Sequence, residues 1–141
     1  MCWVNDTVVR FEYLPMIRAA IALQGDGGIK AIEALTPAAP PAQTVAFALY
    51  PAYLRGEAYA TAHQGSAAAV QFQKILDRPG VVVNEPIGAL AHLGLARAYV
   101  LSGDAAKAKT AYQDFFALWK ETLYGAHLYR GFEFLSLRHA V

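Results

Sequence analysis

Charge is scarce in this chain. Lys and Arg number 12 and Asp and Glu 11, so 16% of the 141 residues are charged and the net charge is +1. A soluble domain usually carries about 25%. No basic block stands out, so neither a phosphate-binding surface nor a nucleic-acid partner is expected. The single cysteine, Cys2, excludes an internal disulfide framework. The opening MCWVNDTVVR is neither basic nor apolar enough for a signal peptide. His63, His92, His127 and His139 lack a second ligand at four-residue spacing, so no metal site is expected. Ser66, Ser102 and Ser136 have no adjacent His or Asp that would point to a nucleophile.

Two local patterns invite functional readings that their context removes. GDGGIK, residues 25–30, is rich in glycine, but a phosphate-binding loop needs a strand before it and Ser or Thr after the lysine. It reads instead as a turn between helices. Ala34 to Leu54 contains no charge for 21 residues, about the length of a membrane span. Pro37, Pro40, Pro41 and Pro51 would break the helix that a span requires, so a loop and a buried helix are expected. Neither a His-Arg-Asp loop nor an Asp-Phe-Gly motif occurs. No catalytic residue and no cofactor are assigned, and the chain is expected not to be an enzyme.

What the sequence has in plenty is apolar surface, with hydrophobic residues at 56% and an excess of alanine. Alanine favours helices packed at short distance, and the apolar excess predicts surface that something else covers. The residues recur in a pattern. Ala96, Tyr99, Ala108, Tyr112 and Phe115 fall on Gly56, Tyr59, Ala68, Phe72 and Ile75 when moved back 40 residues. A further step of 37 places Gly56, Tyr59, Ala68 and Phe72 on Ala19, Ala22, Ala31 and Leu35, and Arg55 on Arg18. The small residues let paired helices approach, and the large ones fill the groove between hairpins. A hairpin cannot bury such a face alone, so stacking follows.

The spacing resembles the tetratricopeptide repeat, most closely through Leu95-Ala96, Tyr99, Gly103-Asp104, Ala108 and Tyr112. The second unit matches at Gly56, Tyr59, Ala68 and Phe72, with Gly65 two residues later than a turn glycine should fall. The first is degenerate, with Ala22 where the tyrosine belongs. The resemblance covers residues 12–121 and implies an all-α fold: about three helical hairpins in a right-handed superhelical stack. Within it, NDTVVRFEYLP, YPAYLRGEAY, FQKILDRPGVVVNEPIGALAHLGLARAYVLSGDAAKAK and AYQDFFALWK look like the C-terminal repeat region of bacterial eukaryotic-like serine/threonine kinases and related regulators. That implies a signalling context, a cytoplasmic place, or a periplasmic one for a membrane-anchored kinase.

The single domain is expected to hold hairpins at about 7–35, 45–76 and 87–122 and an irregular tail at 123–141. Asp6 should cap the first helix and Asp104 the last. Val81, Val82 and Val83 could pair as a short strand, but read as an extended loop tucked on the core. The resemblance implies that the first helices line a concave groove, carrying Tyr13, Met16, Ala20 and Leu23, then Tyr50, Tyr53 and Glu57, then Leu93, Arg97 and Leu101. Such a face suits an apolar helix or extended peptide of a partner protein. It lacks the Lys, Arg and Asn groups that would hold a C-terminal carboxylate. The rival expectation is a structural role, in which the repeats self-associate or pack on a domain of their own protein. The apolar tail is expected to cover Tyr112, Phe115 and Trp119.

Overall fold

The computed structural model describes residues 9–36, 49–82 and 86–121, and among these every regular element is helical. A wide π-helical turn, Val9–Tyr13, leads into α1, Leu14–Leu23. Then follow α2, Gly28–Leu35; α3, Tyr50–Thr61; α4, Gly65–Leu76; a single turn α5, Pro79–Val82; α6, Ile87–Leu101; and α7, Ala105–Glu121. Pro15 and Pro51 sit in the first turns of α1 and α3, where a missing N–H costs nothing. Asp6, residues 37–43 of the expected loop at 36–43, and the expected tail at 123–141 lie outside the described residues. No described helix is long and apolar enough to cross a membrane.

The described residues form three hairpins, α1/α2, α3/α4 and α6/α7, whose turns repeat one geometry. Asp26, His63 and Gly103 adopt positive φ, at 55°, 57° and 80°. The next residues, Gly27, Gln64 and Asp104, donate their N–H to the carbonyls of Ala22, Tyr59 and Tyr99 at 3.0, 2.8 and 2.9 Å. Their own carbonyls accept from the N–H groups of Ala31, Ala68 and Ala108 at 2.9, 3.0 and 3.0 Å. Each set is spaced by 37 and then 40 residues, the two steps read from the sequence. The left-handed residue reverses the chain, and the long backward hydrogen bond satisfies a carbonyl that the helix end leaves open. Asp104 adds a side-chain cap, its Oδ1 accepting from the N–H of Lys107 at 3.1 Å.

In the second hairpin, then, the turn residue is His63, with no glycine to mark it. Gly65 instead serves the packing of one hairpin on the next. A Cβ there would stand 2.7 Å from the Ala98 carbonyl and 2.6 Å from Ser102 Oγ. Gly28 does the same one hairpin earlier, where a Cβ would lie 2.7 Å from the Ala58 carbonyl. Both glycines open a second helix and let it abut the end of the next hairpin's first helix.

Neighbouring elements make the substantial contacts: α1 with α2, α2 with α3, α3 with α4, α4 with α6, α6 with α7, and the first helices α1, α3 and α6 in succession. The core follows that order. Ala19, Ala31, Leu35 and Ala58 form one cluster between the first two hairpins. Phe72, Ile75, Ile87, Ala91, Leu95, Ala96, Ala98 and Ala111 belong to a larger one between the second and third. Ala68 and Ala108 are buried, as are Ala19 and Ala96, the small positions of the repeat. Val81 and Val82 differ from expectation: Pro79–Val82 is one helical turn rather than an extended loop, and Val83 lies outside the described residues. Val82 packs into the core beside Gly88, where a Cβ would meet it at 2.5 Å.

Candidate functional site

The candidate site lies across α1, α3 and α6, which pack side by side. The repeat register aligns Tyr13 with Tyr50 and Leu90, Met16 with Tyr53 and Leu93, and Ala20 with Glu57 and Arg97. Tyr13, Ala20, Leu90, Arg97 and Leu101 are exposed, whereas Met16, Leu23, Tyr50, Tyr53, Glu57 and Leu93 are half-buried. Leu90 was not among the residues assigned to this surface from sequence, although a 40-residue step from Tyr50 reaches it. Val100 and Leu101, 57% and 44% exposed, extend the apolar surface of α6 toward its end.

Tyr53 is the centre of this surface. Its ring meets the buried Phe72 ring edge-on, with centroids 5.7 Å apart and planes at 66°. The hydroxyl at the other end lies within the influence of the Glu57 carboxylate, one turn further along α3. Burial, then the neighbouring Glu57 carboxylate, push the phenol up to about 12, and Arg97 across on α6 partly opposes them. Three predicted residues, Tyr53, Glu57 and Arg97, therefore feel one another electrostatically. Tyr53 offers an apolar body packed on Phe72 and a polar end in the field of Glu57.

Phe72 is itself held by two glycines. A Cβ on Gly56 would stand 2.6 Å from the ring, and one on Gly94 2.5 Å from it. The ring of α4 thus sits against the bare backbones of α3 and α6, which brings Tyr53 and Arg97 toward each other.

A second, more polar depression of about 420 Å³ lies between α4 and the α6–α7 turn, lined by Ser66, Gln73, Ser102, Asp104 and Lys107 among others. Lys107 bridges to Asp104 at 2.8 Å and lies 5.5 Å from the Tyr99 ring centre. Its charges are paired with each other, and Ser66 and Ser102 Oγ atoms are 3.5 Å apart. Among the described residues no group of three His, Cys, Asp or Glu could hold a metal ion.

Set against models of protein families, against curated proteins and against solved structures, the chain matches none of them.

Proposed function

We propose that the chain is a tetratricopeptide-type repeat stack that binds a peptide or helix of a partner protein across α1, α3 and α6. The observation that carries this reading is the accessible apolar surface around Tyr53. Large side chains recur there at equivalent positions of three adjacent helices, yet the core clusters lie behind them. An amphipathic helix presenting apolar residues at three- and four-residue spacing would cover Tyr50, Tyr53, Leu90 and Leu93. Arg97 gives such a ligand one place for an acidic group. Arg97 is exposed and Glu57 half-buried, so the surface offers its cation more readily than its anion.

Selection of helix-forming peptides from a displayed library against the whole chain tests this. Binders should lose affinity by tenfold or more with Tyr53→Ala or Leu93→Asp. They should bind unchanged to Val70→Asp, which alters an exposed residue of α4. Binders that ignore both groove substitutions would sink the reading.

A further inference from the structure

The first hairpin carries, on its outer side, positions that the inner hairpins bury. In the repeat register Ile17 corresponds to Leu54 and Gly94, and Ile21 to Ala58 and Ala98. Leu54 and Ala58 of α3 pack into the cluster that holds Ala31 and Leu35 of α2. Gly94 of α6 lies against the Phe72 ring of α4, and the Ala98 carbonyl lies against Gly65. At each inner junction, then, these positions receive the second helix of the preceding hairpin. On α1 no described residue covers them, and Ile17 and Ile21 are 53% and 63% exposed.

A separate feature indicates what fits there. Arg55 of α3 reaches back and donates from Nη2 to the carbonyl of Leu35, the last residue of α2, at 3.0 Å. Arg18 holds the same register position on α1 and is exposed. At the third position stands Leu95, and there α4 runs past Phe72, the counterpart of Leu35, to Leu76. Arginine thus accompanies a short second helix that ends beside it, and leucine a longer one that does not. In α7 the counterpart of Leu35 is Tyr112, and the helix continues to Glu121. A second copy of the chain laid head to tail would bring no helix end to Arg18.

We propose that Ile17, Ile21 and Arg18 form a docking site for a short amphipathic helix of a partner protein, bound as α3 binds α2. The helix covers the two isoleucines with its apolar stripe, and its last carbonyls accept hydrogen bonds from Arg18. Those carbonyls have no partner within their own helix and carry the negative end of its dipole, which suits a guanidinium with several donors. Ile21 is larger than Ala58 or Ala98, so the incoming helix presents a small residue opposite it. This surface is distinct from the groove around Tyr53.

The 37-residue period allows a direct test on the whole chain. Residues 12–48 are repeated once, in tandem, ahead of residue 12. The extra unit keeps register and supplies a short second helix, a copy of α2, as the probe. The extended chain should melt higher than the natural one, and the Ile17 and Ile21 methyl resonances should shift. Arg18→Gln and Ile17→Asp, made in the original unit, should lower the melting temperature of the extended chain and leave that of the natural chain unchanged. Unshifted methyl resonances would overturn the proposal. An Arg18→Gln effect equal in both chains would overturn the helix-end contact. Sedimentation of the natural chain completes the test, with a monomer expected. Self-association abolished by Ile17→Asp would give the face to a second copy and defeat the partner helix. Tyr53→Ala removes a ring that packs on Phe72 and should lower both melting temperatures alike, while leaving the methyl shifts and the Arg18 and Ile17 effects in place, so this proposal and the groove reading fail independently.

Discussion

Phe72 and Gly94 meet across the junction of the second and third hairpins so closely that a methyl group on Gly94 would stand 2.5 Å from the ring. A methyl group on Gly56 would stand 2.6 Å from the same ring atoms, and Phe72 is fully buried. A buried ring held between two bare backbones yields at a cost. Gly94→Ala should therefore destabilise the fold by about 1–3 kcal/mol, despite the gain of about 0.5–1 kcal/mol that alanine brings to a helix interior. In denaturant melts, adding Phe72→Leu to Gly94→Ala should cost less than the sum of the two single changes, because the smaller side chain leaves room. Gly80→Ala is the control: nothing lies within 4 Å of its added methyl, and the melt should be unchanged or slightly improved.

Ala108 and Ala68 occupy the small positions where paired helices touch, and both are buried. Ala108→Leu should overpack the α6–α7 contact and lower stability by roughly 1–3 kcal/mol. An unchanged melting temperature would mean that the two helices are not held at this distance by that alanine.

His63 is a side-chain-bearing residue in the left-handed conformation at the turn of the second hairpin, with φ of 57°. Glycine occupies the equivalent place in the third, at Gly103. His63→Gly should raise stability by about 0.5–1 kcal/mol through relief of that conformation, offset in part by the freer unfolded chain. Gly103→Ala should lower it. Thermal melts of the pair should move in opposite directions.

Two groups should make stability depend on pH. Tyr53 has its phenol raised to about 12 from an ordinary value of 10. A raised folded value stabilises below the unfolded one, and that contribution is lost as pH climbs through about 12. In an absorbance titration one tyrosine should ionise late; Tyr53→Phe should remove that step and Glu57→Gln should bring it lower.

His92, half-buried on α6 with no hydrogen-bond partner at Nδ1, has its imidazole held below the ordinary 6.5 by burial, against the weaker pull of Asp114. A depressed histidine contributes stability that is present above pH 6.5 and lost as pH falls through the lower folded value. Melts between neutral and mildly acid pH should show a loss in the natural chain that is smaller in His92→Gln. Equal losses would remove His92 as the cause.

The alternation of small and large residues, Ala19 with Leu35, Gly56 with Phe72, Ala96 with Tyr112, carried the hairpins into view because close helix pairing constrains side-chain size at fixed spacing. The turns were legible only where the backbone demanded glycine. Gly103 announced itself, but His63 takes the same conformation with a side chain that carries no turn signal. Gly28 and Gly65 looked like turn residues because glycine punctuates helices, and their contact with the next first helix depends on a neighbour 30 residues or more away in sequence. Gly94 passed unnoticed beside Ala96, since either could be the small residue of the pattern. The valines at 81–83 suggested extended backbone by their β-branching, whereas Pro79 at the head of the segment and the core beneath Val82 favour a helical turn. Of the surface around Tyr53, the residues were legible through the register; the opposing charge of Arg97 was not, because it depends on how far α3 stands from α6.

The order of contacts, each hairpin touching mainly the one before and the one after, also fixes how the molecule opens. Cooperativity in such a row passes from neighbour to neighbour. Among the described residues an outer hairpin has one such junction and the central one has two, so within these three hairpins opening should begin at an outer one and the α3/α4 amides should exchange with solvent last. Tyr53 and Phe72 stand in that last segment to open. The surface around them would outlive the fraying of either flank, so binding there and local melting elsewhere can occur in the same molecule.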